Sequence, residues 1–236
     1  TAYITLETTA AVSGAADDSH NHGPVAKNFN SISNFTLPTG HGTSYNPISF
    51  EPDGPSPTTM KSTYFFTTPL NPNNLKPRLK AISKVEEWDL TRTAGSENGN
   101  VTLSWDADSD IGAHSELVVA YWDVSNWIDG GVSALNVNTP DGTVKSKSIS
   151  IFGTRFTIGY DCGGEPSITG VTEIDSIRCG DGIVVLKIGN IPITTTVDWY
   201  TSPVGGAAII SGSNRNDTTF TTGVLTNDTT SYYAEL

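Results

Sequence analysis

The residues with the most evident chemistry stand in one acidic run, Asp106-x-Asp108-x-Asp110-x-Gly112. Alternate acidic oxygens leading into a glycine turn resemble the front of a calcium loop. The pattern is partial, because the glycine falls one residue late for a helix-loop-helix site and Leu117 stands where a closing Glu belongs. Two readings stay open: a Ca²⁺ site on Asp106, Asp108 and Asp110, Ca²⁺ being the one cofactor the sequence suggests, and a solvated acidic turn after Trp105. The turn is the expectation. His20-x-His22 places two imidazoles on one face of an extended chain, a spacing that suits zinc or copper. No third ligand lies nearby in sequence, so a solvated pair is expected.

Nothing in the chain spells out catalysis. The four histidines (His20, His22, His41, His114) are scattered among polar turns, and neither a Gly-x-Ser-x-Gly elbow nor a His-Glu-x-x-His pair occurs. Glu86-Glu87 is a pair of carboxylates, but neighbours on a strand face opposite sides. A non-enzymatic protein without a resident cofactor is expected.

Among the five tryptophans, Trp105, Trp122 and Trp199 lie inside apolar strands and read as core. Trp127, in Ser125-Asn126-Trp127-Ile128-Asp129-Gly130-Gly131, sits at a turn where its face would stack on a sugar if exposed, but core or interdomain packing is the expectation. Cys162 and Cys179 are the two cysteines. Bridged to each other they would close a loop worth roughly 3 kcal/mol; the other reading pairs Cys179 with a cysteine beyond Leu236.

These residues need a framework, and composition indicates which. The 236 residues include 23 Gly and 13 Pro with much Thr, Ser and Asn, while only 16% are charged, against roughly 25% in an average domain. That favours strands and turns over helices. The formal net charge of −12 would repel a nucleic-acid backbone. No apolar run approaches the roughly 18 residues of a membrane span. The chain starts without Met and ends in a strand-like run, Tyr232-Tyr233-Ala234-Glu235-Leu236, so it reads as a segment of something longer.

Strands are expected within 34–66, at Ala81–Leu90, Asn100–Trp105, Leu117–Trp122 and Lys147–Gly159, with a polar loop from Pro69 to Pro77. Residues 1–18 read as an N-terminal extension or the end of a preceding β element. Gly163-Gly164-Glu165-Pro166 supplies a linker signal near a boundary between Tyr160 and Pro166. The remainder carries close to seven short strand signals, the count of an immunoglobulin-like sandwich. The expected fold is all-β: a β-sandwich module over 19–162, then an Ig-like sandwich over 163–236.

Two resemblances sharpen this. Ser19-His20-Asn21-His22-Gly23-Pro24-Val25-Ala26-Lys27, Phe35-Thr36-Leu37-Pro38-Thr39-Gly40, Trp88-Asp89-Leu90, Val101-Thr102-Leu103-Ser104-Trp105, Val119-Ala120-Tyr121-Trp122 and Phe156-Thr157-Ile158-Gly159 resemble a β-rich module of very large, repetitive surface proteins of Bacteroidota. Arg178-Cys179-Gly180-Asp181-Gly182-Ile183-Val184-Val185-Leu186, Val197-Asp198-Trp199-Tyr200 and Thr230-Ser231-Tyr232-Tyr233 are similar to the Ig-like domains repeated in those proteins. The resemblance implies a secreted or cell-surface adhesin, stalk or filament segment, exported by the type IX system. Its implied partners are neighbouring domains of a longer chain, surface glycans or other cell-surface proteins. It also likens Asp217-Thr218-Thr219, Asp228-Thr229-Thr230 and Asp175-Ser176-Ile177 to O-glycosylation triplets, with Thr218, Thr229 and Ser176 as acceptors. The alternative function is a carbohydrate-binding module pair within a secreted polysaccharide-degrading enzyme.

Overall fold

The computed structural model describes residues 2–76, 78–112, 114–150, 152, 154–161, 182–187, 197–201, 207–213, 219–225 and 232–235. Among these there is no α-helix, only two single 3₁₀ turns at Ala107–Ser109 and His114–Glu116. The chain divides into two compact units, Thr1–Asp161 and Cys162–Leu236.

The first unit is a sandwich of two mostly antiparallel sheets. Its strands are β1 (Ile4–Leu6), β2 (Val25–Phe29), β3 (Phe35–Leu37), β4 (Ile48–Pro52), β5 (Thr58–Phe65), β6 (Leu79–Ile82), β7 (Glu87–Ala94), β8 (Gly99–Trp105), β9 (Leu117–Trp122), β10 (Trp127–Asp129), β11 (Ala134–Asn138), β12 (Asp141–Lys145) and β13 (Thr154–Asp161). One sheet runs β1-β2-β5-β7-β13-β9-β10, with β6 continuing the place of β7 along β13; the other runs β11-β12-β8-β4-β3.

The alternation in sequence makes this layering. Along β8 the residues alternate buried and half-buried throughout, and Val101, Leu103 and Trp105 go inward. They meet Met60, Tyr64, Trp88, Leu90, Phe156 and Ile158 from the opposing sheet in one core. Strand β9 begins with four buried residues in a row because both of its faces are covered. Leu117 and Val119 join the main core, while Val118 and Ala120 join a second cluster with Leu79, Ile82 and Trp127.

Local chemistry closes the edges. Gly142 on β12 lies under Trp105, where a Cβ would come within 2.1 Å of the indole Cζ2; any side chain there would force the ring out of its place. On the far edge, β1 pairs in parallel with β2. Residues 1–18 thus contribute an edge strand, and the turn after it is fixed by a buried lysine. Lys27, 3% exposed, donates from Nζ to the carbonyls of Glu7, Thr8 and Ala10. Burial lowers the pKa of this ammonium, with Glu7 pulling the other way.

Several expectations shift in detail. The run Ala81–Leu90 is broken between β6 and β7, where Ser83 N donates to Ile158 O and Thr157 Oγ1 donates to Glu86 O. The strand expected over Lys147–Gly159 begins only at Thr154. The β11–β12 hairpin and the three-residue β10 are additions to the expected strands.

In the second unit β14 (Val185–Lys187) pairs with β17 (Thr219–Thr221), and β15 (Val197–Tyr200) lies between β16 (Ile210–Ser213) and β18 (Tyr233–Glu235). Trp199 from one sheet stacks on Phe220 from the other at 5.5 Å, and Tyr232 packs on Phe220 at 5.1 Å. This aromatic contact between two small sheets is an Ig-like sandwich core.

Candidate functional site

The acidic run forms a turn, as expected. Asp106 caps the Ala107–Ser109 turn: its Oδ1 accepts from Asp108 N at 2.8 Å, while Asp106 N donates to Ser109 Oγ at 3.1 Å. Asp108 faces another way, its Oδ2 accepting from Ser44 Oγ at 3.1 Å. Asp110 ends the turn in the left-handed region with φ of 51°. The Asp106 and Asp108 carboxylates thus each have a separate partner. Among the described residues no three His, Cys, Asp or Glu side chains are grouped to hold a metal ion. Of the two readings of this run, the geometry described is that of the turn, with Asp106 as its cap and Asp108 bonded to Ser44.

The histidine loop behaves similarly. His20 and His22 do come together, but as parallel stacked rings 4.6 Å apart, with His41 6.3 Å from His22. His20 Nδ1 donates to Ala16 O at 3.0 Å. His20 and His22 are thus held in a stack with His41 alongside.

For Trp127 the structure shows core packing and not an exposed turn. This residue is fully buried on β10. Its Nε1 donates to Leu70 O at 2.7 Å, its backbone N to Asn74 O, and its carbonyl accepts from Lys76 N. Trp122 packs against it edge-on at 5.6 Å. Residues 70–76 supply these contacts, with Leu75 packed beside them, and the indole is fully buried, so neither ring face is free for a sugar.

The residue cluster that the sequence did not reveal lies beneath the acidic turn. Glu86 is fully buried, and its Oε2 accepts from Tyr64 Oη and Ser109 Oγ, each at 3.1 Å, and from Asn46 Nδ2 at 3.5 Å. Asn46 in turn donates to Tyr64 Oη at 2.9 Å, and its carbonyl accepts from Thr39 Oγ1 and Trp88 Nε1. Burial pushes the Glu86 carboxyl up to about 8; the Tyr64 and Ser109 hydrogen bonds pull it back, and the Asp106 charge raises it further. Burial and the same carboxyl also raise the Tyr64 phenol. Burial thus favours the neutral acid, the form in which a buried carboxyl costs least.

Glu87 faces the other side of β7, as alternation requires. It pairs with Arg155 and accepts from Leu70 N at 3.2 Å. Its pKa is raised by burial, opposed by the Leu70 bond and the Arg155 charge. The only signal for Glu86 was an acid within an apolar strand flank, Val85-Glu86-Glu87-Trp88.

Cys162 and Cys179, and the acceptor candidates Ser176, Thr218 and Thr229, lie outside the described residues.

Comparison with known proteins bears on the second unit. Residues 166–236 match a family described as Ig-like domain, CHU_C associated. The chain matches no curated protein and no solved structure. No helix among the described residues is long and apolar enough to cross a membrane. The C-terminal part of this all-β chain is thus similar to an Ig-like module of the extracellular, cell-surface type.

Proposed function

We propose that this chain is a non-enzymatic segment of a secreted cell-surface protein, an adhesin or stalk that presents or spaces a binding region. The observation that carries the reading is the Ig-like match over 166–236 following a separately compact β-sandwich. Modules with private cores joined in series are a mechanical solution to reach, since each keeps its fold whatever its neighbours do. The buried polar network of Glu86, Tyr64, Asn46 and Ser109 serves this role as structure: it pins the 38–46 loop and the acidic turn to β5 and β7.

Export by the type IX system and a Bacteroidota origin belong to the same proposal and rest on the sequence resemblance. The test is attachment of cells lacking the segment. Deleting 1–236 in frame from its parent protein should reduce surface attachment or shorten the displayed filament while leaving growth on polysaccharide unchanged. Loss of polysaccharide degradation with intact attachment would overturn it.

A further inference from the structure

We propose that the cleft between residues 10–15 and strand β3 binds a neutral saccharide. The proposal rests on the surface reading above and names the ligand class of its binding region. The cleft has a volume of about 440 Å³, in the range of small-molecule sites. Ser13, Asn34, Phe35, Thr36 and Tyr45 line it together with the small residues of 10–15, and none of the ten lining residues is charged.

The lining selects the ligand. An anion would require a cation in the wall, and the nearest ammonium, Lys27 Nζ at 4.4 Å from the Phe35 ring, has its protons committed to three carbonyls. A cationic ligand would require a carboxylate, and none lines the cleft. What the wall offers is two half-buried aromatic rings and uncommitted neutral hydrogen-bonding groups. Among the described residues, the Asn34 amide and the Ser13 hydroxyl make no hydrogen bond, and neither does the backbone of 11–15. Aromatic rings that meet C–H faces, beside amide, hydroxyl and peptide groups that meet hydroxyls, are the two halves of sugar recognition.

The flanks of the 11–15 segment are anchored. Lys27 fixes the turn that leads into residues 10–15, the Ala16–Ser19 pair closes its far end, and Tyr45 N donates to Asp17 Oδ1 at 3.1 Å.

The experiment is saturation-transfer NMR on the whole chain with uncharged disaccharides of glucose, galactose, mannose and N-acetylglucosamine at millimolar concentration. At least one should bind. Tyr45→Ala should weaken it about tenfold or more, and Asn34→Ala, at an exposed position, about threefold to tenfold without disturbing the fold. Tyr45→Phe should bind nearly as the parent does. No binding by any disaccharide, or binding indifferent to both alanine variants, overturns the proposal. So does capture of an uncharged extended peptide in place of the sugars, which would make the cleft a strand-addition site on β3. If the chain is displayed on intact cells and no disaccharide binds, the saccharide site falls while the surface reading stands.

Discussion

Glu86 shows how one buried side chain makes a whole unit sensitive to pH. In the unfolded chain its pKa is the ordinary 4.5, and in the folded unit it is about 8. Below pH 4.5 both states are protonated and the group is neutral to stability. Between 4.5 and 8 the unfolded chain releases the proton and the folded one keeps it, so stability falls as pH rises. A shift of that size corresponds to a loss on the order of a few kcal/mol. Glu86→Gln keeps a neutral acceptor for Tyr64 and Ser109, so its melting temperature should hold where the parent's declines, with the gap widening from pH 5 to 8. Parallel curves would show that Glu86 does not titrate in this way. At the same scale, the turn that carries Asp106, Asp108 and Asp110 predicts equal melting in millimolar Ca²⁺ and in chelator. A rise of several degrees with Ca²⁺ that Asp108→Asn removes would favour the ion site instead.

At the scale of elements, the N-terminal strand depends on one residue of its neighbour. Lys27 gives three hydrogen bonds to the turn that follows β1, and Lys61 reaches the Tyr3 ring at 5.4 Å. Lys27→Met leaves three carbonyls without that donor and should cost about 2–3 kcal/mol, read as faster amide exchange at Ile4–Leu6 and earlier protease cleavage within 7–15. Unchanged protection there would mean that strand pairing alone holds the segment. The strands themselves were largely legible: β8 and β9 follow from Val101-Thr102-Leu103-Ser104-Trp105 and from the apolar run at Leu117, because period and hydrophobicity decide burial. What covers Trp127 was not, since a Pro- and Asn-rich loop gives no local sign that it will pack on an indole. The break at Glu86 was hidden for a related reason, being set by Thr157 and Ser109, 71 and 23 residues away.

At the scale of the molecule, two units with separate cores stand in one acidic chain of net charge −12. The Glu86→Gln effect should therefore appear in the unfolding of the first unit and leave that of the Trp199–Phe220 core in place. The class of fold and the Ig-like character of 166–236 could be read from turn spacing and from the Trp199-Tyr200 strand. The cleft at β3 could not, because its wall is the featureless run Ala10-Ala11-Val12-Ser13-Gly14-Ala15, which acquires meaning only beside Phe35 and Tyr45. The central claim is display outside the cell, and antibody raised against 1–161 tests it most directly. Labelling of intact cells, removed by brief external protease, is the predicted result; labelling that appears only after lysis would contradict it.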